Sequence, residues 1–518
     1  MGWLCVHNNK KGNGKSMRKT RRKQIGIIIG LLVMVFVCLF VEVGKRESDN
    51  DKGKTGKTPE EKTEQEQTEK AEKEKITDSM NVRVLLMTTG FVSLFHEKIK
   101  ITSSKPFTVT VDGKEKEYSA GKTVSYQADD KTNKGKKIIV KPSKGAKLKV
   151  LSIKRQNICP SYRHTLQVTW NKQGLLLTNK LPLEEYLYAV VPSELSTSNR
   201  MEALKVQAVC ARSYACCQIQ SGRYDKYHAD LDDSVACQVY NNIPEDKRSR
   251  KAVDDTKGVV LTDKKGNIVQ AYYYSTSWGY SASGQDVWNT KSKISYLPEK
   301  LQITEKSRKK SGIRSLDLSS EDAFQEFIQK TPFDTYDSDA VWYRWNMTVS
   351  QKALSARVDV LLEDCYAEDS SLVLTQTKTG GYRSKPLKSL GTVKKIRVEK
   401  REKSGLITEI VLVGKKNVVK VCTQHNIRKV LGSSYETIYY NHGKLKTSMR
   451  MLPSAAFFVT DASVDNETSF QFIGGGFGHG TGMSQCGASR MAELGNNYEE
   501  ILEHYFTGAE LKNLQEIA

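Results

Sequence analysis

One carboxylate, Glu194, stands between two apolar stretches in PLEEYLYAVVPSELSTSNRMEALKVQAVCARSYA, Pro182 to Ala215. Pro182 with Glu184 and Glu185 behind it marks a helix start. Leu187, Val190 and Val191 fall on one face. Pro192 disfavours α geometry at Val191 and is expected to end that helix, leaving Glu194 in a loop. A second helix is expected near Asn199, with Glu202 three positions on as in a capping box. Its residues from Ala203 to Ala215 are apolar on nearly every side, which predicts burial. The neighbours of Glu194, VVP before and Leu195 after, predict an apolar setting that raises its pKa into the range a general acid uses. A solvated loop carboxylate is the plainer alternative. Gln207 and Arg212 on the buried helix need partners. Lys205 and Arg212 share a face and would suit an anionic ligand or, equally, an internal ion pair with Glu184 or Glu185.

Two more segments carry groups suited to a site. GGGFGHGTGMSQCGASRMAELG, Gly474 to Gly495, holds seven glycines in its first fourteen residues. It has neither the Gly-Lys-Ser/Thr of a phosphate loop nor the spacing of a dinucleotide fingerprint. Such density predicts backbone passing close to another group. His479 lies within it, followed by Ser484 and Gln485, and a helix closed near Gly495 comes next. The stretch AYYYSTSWGYSASG, Ala271 to Gly284, interleaves Tyr272, Tyr273, Tyr274, Trp278 and Tyr280 with small hydroxyl residues, among them Ser275 and Ser277. Aromatic faces stack on sugar rings and hydroxyls bond their edges, although a strand that is half core and half surface gives the same pattern.

The elements that would position these groups read as α+β with mainly antiparallel sheets. Short alternating segments run from NVRVLLM at Asn81 through LQVTWNKQGLLLTNKLPLEEYL. Strands return at GVVLTD, NIVQAYYYSTS, TVKKIRVEK, ITEIVLVG and NVVKVCT. DLSSEDAFQEFIQK, with Ser319 or Ser320 as cap, is expected to be helical. The organisation so read is a basic tail at 1–24, an anchor at 25–43, a charged linker at 44–80 and a β-rich region at 81–180. A core follows in two parts, 181–300 and 386–518, split by an insertion at 301–385.

The 518 residues carry a net charge of +22. Eight of the cations, from Lys10 to Lys23, precede the uncharged run Ile25 to Val41. Its length is at the lower end for spanning a bilayer, and the basic flank keeps the N-terminus in the cytoplasm. No small-x-small cleavage site follows, so an uncleaved single-pass anchor in the plasma membrane is favoured over a signal peptide, with the rest of the chain outside. That location argues against nucleic acid as the partner of the basic surface and leaves acidic lipid, an anionic wall polymer or a charge that serves solubility alone. The ten cysteines show no CxxC pair and no disulfide framework.

PLEEYLYAVVPSEL, EALKVQAVCARSYA, DSVACQVY, AYYYSTSWGYSASG and the glycine segment together resemble the SpoIID/LytB family, stage II sporulation protein D and the amidase enhancers, over roughly Asn81 to Leu511. The resemblance implies a lytic transglycosylase of peptidoglycan. Such an enzyme cleaves the β-1,4 bond between N-acetylmuramic acid and N-acetylglucosamine and leaves a 1,6-anhydro sugar. Sporulation members act during engulfment, on strands that a partner amidase of the SpoIIP type has stripped of peptide. The family's catalytic glutamate falls on Glu194, and Gln207, Arg212, Tyr273, Ser275, Ser277, His479, Ser484 and Gln485 are expected around it. No cofactor is expected. Some relatives hold zinc through one His and two Cys. Here His228 and Cys237 flank ADLDDSVA with no second cysteine between them, and Cys217 is a poor substitute, so zinc is the weaker reading. Trp278 stands where relatives often have a smaller residue and is expected to narrow the cleft. The competing class is a non-catalytic wall-binding protein that recruits or enhances an amidase.

Overall fold

The computed structural model describes residues 80–517 apart from positions 442, 447, 448 and 465. The basic tail, the expected anchor and nearly all of the linker lie outside the described residues. Among the described residues no helix is long and apolar enough to cross a membrane.

The alternating N-terminal segments form two sheets. A seven-stranded sheet runs Leu231–Asp232, Asn81–Leu85, Gly174–Pro182, Thr165–Asn171, Ile138–Pro142, Phe107–Val111 and Lys114–Tyr118. Its pairs are antiparallel except Asn81–Leu85 with Leu231–Asp232. A four-stranded sheet from Lys98–Ser103 and its neighbours lies with it over one apolar core. Strand Gly174–Pro182 leads directly into helix α1, Leu183–Glu194, and helix α2, Met201–Ser221, follows. Leu187, Val190 and Val191 are fully buried, each worth about 1.5–3 kcal/mol of apolar burial. Helices Gln485–Glu493 and Tyr498–Tyr505, near the other end of the chain, pack into the same core as α2.

Pro192 does not end α1, which runs on to Glu194. The neighbouring side chain compensates for the irregularity: the Ser193 hydroxyl donates to the Ala189 carbonyl at 2.7 Å and accepts from the Asn242 and Ile243 amides. Glu194 is thus the last helical residue and not a loop residue. The expected capping box at α2 is absent too. Arg200 is its N-cap, without a side-chain bond, and Glu202 instead pairs with Lys205 and accepts the Tyr498 amide.

A second apolar core gathers residues from Trp342 to Phe472. Around it lie two five-stranded antiparallel sheets, one centred on Trp345–Ser350 and the other on Val418–Cys422, with helix α3, Gln351–Glu368, between strands in sequence. Strands Val373–Gln376 and Val393–Arg401 belong to one sheet, so residues on both sides of position 385 pack together and the structure has no break there. The helix expected in DLSSEDAFQEFIQK is Glu321–Lys330, with Ser320 accepting the Ala323 amide. It belongs to a third core around Trp278, Phe324, Leu406 and Phe458 that joins the two bodies.

Candidate active site

Glu194 is 6% exposed, and its Oε1 accepts the Val239 amide at 2.6 Å. Its surroundings are therefore not the wholly apolar ones its neighbours in sequence predict. The amide comes from DSVACQVY, a loop carried beside α1. The preceding residue, Gln238, is fully buried. Its Oε1 accepts the Tyr273 hydroxyl at 2.9 Å, and its Nε2 donates to the Ala211 carbonyl and the Tyr186 hydroxyl. Burial first, with the Glu194 charge contributing, holds the Tyr273 phenol well above its ordinary range, and the same two causes act on Tyr186. Both phenols stay protonated at neutral pH, Tyr273 donating to Gln238 and Tyr186 accepting from it.

The glycine segment closes the site from the far end of the chain. Gln485 Nε2 donates to the Glu194 carbonyl at 3.2 Å and to Gln207 Oε1 at 3.1 Å. Gln207 is fully buried, and its own Nε2 has no partner among the described residues. His479 Nε2 lies 2.9 Å from the Tyr273 carbonyl, and its Nδ1 faces the Thr481 amide at 3.2 Å. With Nδ1 accepting, Nε2 carries the proton. Burial, then the Arg428 charge, pushes His479 down to about 3, so it is a neutral, fixed donor and not a proton shuttle near neutral pH. The rings of Tyr272, Tyr274 and Trp288 surround it.

Ser277 and Ser484 lie one step away, on the buried carboxylate of Asp337. Ser484 Oγ donates to it at 2.5 Å, and Ser277 donates through both its hydroxyl and its amide. Burial raises Asp337 to about 6 against those donors. The Ser275 carbonyl takes the Cys486 amide at 3.0 Å. These contacts tie the tyrosine strand to the glycine segment; Tyr273 and Tyr274 pair with Met483 and Ser484.

Arg212 does not join this cluster. It is fully buried, and its Nε and Nη2 grip Glu184 at 2.8 and 2.6 Å while Nη1 and Nη2 also serve the Val259 and Val253 carbonyls. Of the two sequence-level alternatives, the internal ion pair is the one formed. Lys205 is likewise paired, with Glu202. Trp278 does not narrow a cleft. It is buried under the glycine loop, its Nε1 donating to the Ser404 carbonyl, and a Cβ on Gly480 would lie 2.6 Å from its ring. The close approach that the glycine density predicts is made to this ring and to the tyrosine strand.

His228 is exposed at the end of a short 3₁₀ turn, whereas Cys237 Sγ lies 3.5 Å from the Tyr224 hydroxyl and Cys217 Sγ donates to the Ile268 carbonyl. Burial lifts both thiols to about 12. Among the described residues no three His, Cys, Asp or Glu side chains are grouped to hold a metal ion. None of the eight described cysteines is in a disulfide.

Residues 171–262, which contain α1, Glu194 and the whole DSVACQVY wall, match the family model for SpoIID, Stage II sporulation protein. A relative from Bacillus subtilis (strain 168) named amidase enhancer is 28% identical over 335 residues, 63% of this chain and 40% of the relative. Stage II sporulation protein D of Bacillus amyloliquefaciens is 26% identical over 346 residues, 64% of this chain and 74% of the relative. The chain is a SpoIID/LytB-family protein.

The match thus spans well under half of the amidase enhancer's own length. The second body of this SpoIID/LytB-family chain corresponds to a different model: residues 282–482 match a domain of unknown function, DUF8618. The SpoIID segment supplies Glu194, Gln207, Gln238 and Val239. His479 lies within the DUF8618 match, and Ser484 and Gln485 follow it. Gln238, the Val239 amide, Tyr186 and Asp337 are members of the site that sequence reasoning missed. DSVACQVY carried a family signal without assigning its residues, and FDTYDSDAV around Asp337 carried none.

Proposed function

We propose that the protein is a peptidoglycan lytic transglycosylase that cleaves the N-acetylmuramic acid–N-acetylglucosamine β-1,4 bond of peptide-stripped glycan, with Glu194 as its only acid/base. The observation that carries this reading is the carboxylate at the end of α1, held by the Val239 amide and locked from behind by Gln485, while the buried carboxylate of Asp337 is engaged by Ser277 and Ser484. An ordinary glycosidase needs two carboxylates. In the transglycosylase reaction Glu194 gives its proton to the leaving glycosidic oxygen. The carboxylate then takes the proton of the muramic acid 6-hydroxyl, whose oxygen closes on C1. Water is not consumed and no cofactor is required. His479 fixes the Tyr273 backbone, and Tyr273 in turn holds Gln238 beside the carboxylate. The expected anchor would hold the enzyme on the outer face of the plasma membrane during engulfment, beside an amidase that supplies the stripped strands.

A second reading is favoured by the burial of Glu194 and by the name of the amidase-enhancer relative. A carboxylate already bonded to a backbone amide is also what a structural residue looks like. The protein would then bind glycan and recruit an amidase without cleaving. Digestion of peptide-free glycan strands, read by mass spectrometry, separates the two. The lyase yields ends lighter than the hydrolytic product by one water, and Glu194→Gln abolishes them. Identical product profiles from wild type and variant would remove the catalytic reading.

A further inference from the structure

Four arginines are buried among the described residues: Arg155, Arg212, Arg401 and Arg428. Three of them face an acid, namely Asp233, Glu184 and Glu321. Arg428 does not. Its Nε donates to the Leu452 carbonyl at 2.9 Å and its Nη1 to Gln424 Oε1 at 3.3 Å, both uncharged, and burial pushes its guanidinium down to about 10. Nη2 takes no partner among the described residues. The adjacent Lys429, by contrast, is paired with Glu368. Arg344, the other largely enclosed guanidinium without an acid, has its Nε, Nη1 and Nη2 all satisfied by carbonyls and the Thr331 hydroxyl. A buried charge with neither counterion nor a full set of acceptors is costly.

Arg428 is joined through its backbone to the glycine loop of the site already described. It lies on helix Gln424–Leu431. Its carbonyl accepts the Leu452 amide, and the adjoining Pro453 carbonyl accepts the Gly478 amide. Gly478 directly precedes His479, which bonds Tyr273. The Arg428 charge is felt at His479 itself.

We propose that Arg428 is an anion subsite beside the His479 loop and that it receives the lactyl carboxylate of a muramic acid residue one or more sugars away from the cleaved bond. The identity of the polymer rests on the lyase reading above. With a stem peptide attached, that lactyl group is an uncharged amide; once the peptide is removed, it is a carboxylate repeated at every second sugar. A guanidinium with a free terminal nitrogen binds a carboxylate through a charge-assisted hydrogen bond. The second body would thereby select stripped strands, a task separate from bond cleavage.

The test uses Glu194→Gln protein, which leaves strands intact. Its affinity is measured for peptide-free glycan, for the same glycan with lactyl carboxyls converted to carboxamides, and for neutral chitin oligosaccharides. Amidation is expected to weaken binding at least tenfold. Adding Arg428→Gln should bring native strands down to the amidated level while chitin binding stays unchanged. Equal affinity of the Arg428 protein for native and amidated strands overturns the proposal without any substitution at that position. A contrast that persists in Arg428→Gln assigns it to general positive charge and overturns it too. If the glutamine variant unfolds, Arg428→Met, which is uncharged and of similar length, replaces it, with the same loss of contrast expected. Failure of the lyase reading registers separately, as wild type that binds stripped strands yet releases no anhydro ends.

Discussion

Gln485 Nε2 donates to the carbonyl oxygen of Glu194 across 291 residues of sequence. The same nitrogen donates to Gln207 Oε1, so one amide group fixes the end of α1 against the middle of α2. The carboxylate proposed as acid/base is therefore oriented from two sides, by a backbone amide at its side chain and by a side-chain amide at its backbone.

Removing that amide leaves two buried acceptors unpaired. Gln485→Ala should cost about 1–3 kcal/mol of stability, read by chemical denaturation. Under the lyase reading, turnover of glycan in the still-folded protein should fall further than binding does. Gln485→Glu, which repels the Gln207 oxygen, should do the same. Unchanged turnover in stable Gln485→Ala would mean that the contact does not position Glu194.

The glycine loop tolerates no side chain where it crosses the tyrosine strand. Gly482 has φ +77° and a Cβ there would lie 2.1 Å from the Tyr272 carbonyl oxygen. Gly482→Ala should cost roughly 3 kcal/mol or more, since left-handed strain and a backbone clash add. Gly495 has φ +97° but open space around it. Gly495→Ala should cost only about 1–2 kcal/mol, the strain alone. Equal thermal shifts for the two variants would show that the close approach is not limiting.

Asp337 gives stability a pH dependence with a definite sign. Its folded-state value is raised to about 6, so the unfolded chain releases the proton first as pH rises. Its contribution is complete below about pH 4 and is lost as pH climbs through 6, about 3 kcal/mol in all. Asp233 is raised to about 6 as well and acts in the same window. The difference between wild type and Asp337→Asn, followed by denaturation from pH 4 to 7, isolates the share of Asp337. A flat difference would place its folded-state value near that of an ordinary carboxylate.

Arg212 should behave as a structural residue. Arg212→Ala leaves Glu184 without its partner, and breaking such a pair costs about 3–5 kcal/mol. Glycan affinity of the folded fraction should not change. Loss of affinity without loss of stability would return Arg212 to the binding surface.

The sequence made Glu194, the helix pair and the glycine segment readable because each leaves a local mark: a proline, a run of apolar residues, a cluster of glycines. Strands such as Phe107–Val111 and Ile407–Gly414 were readable from alternation for the same reason. The course of α1 past Pro192 was not, because Ser193 and residues near 242 supply the compensating bonds. Arg212 carried two equal readings until Glu184 was seen to face it. Strands Trp345–Ser350 and Glu467–Gly474 pair across more than a hundred residues, and no local pattern announces that. Asp337 stayed silent because its meaning lies in serines 60 and 147 positions away.

The lock on Glu194 comes from residue 485 of a 518-residue chain, after the whole second body has been made. A chain emerging N-terminus first completes α1, α2 and the DSVACQVY wall long before Gln485 exists. During that interval the carboxylate is present but unbraced, and the nascent protein has no finished site. A chain cut short anywhere between the two cores would carry its proposed acid and lack the part that aims it.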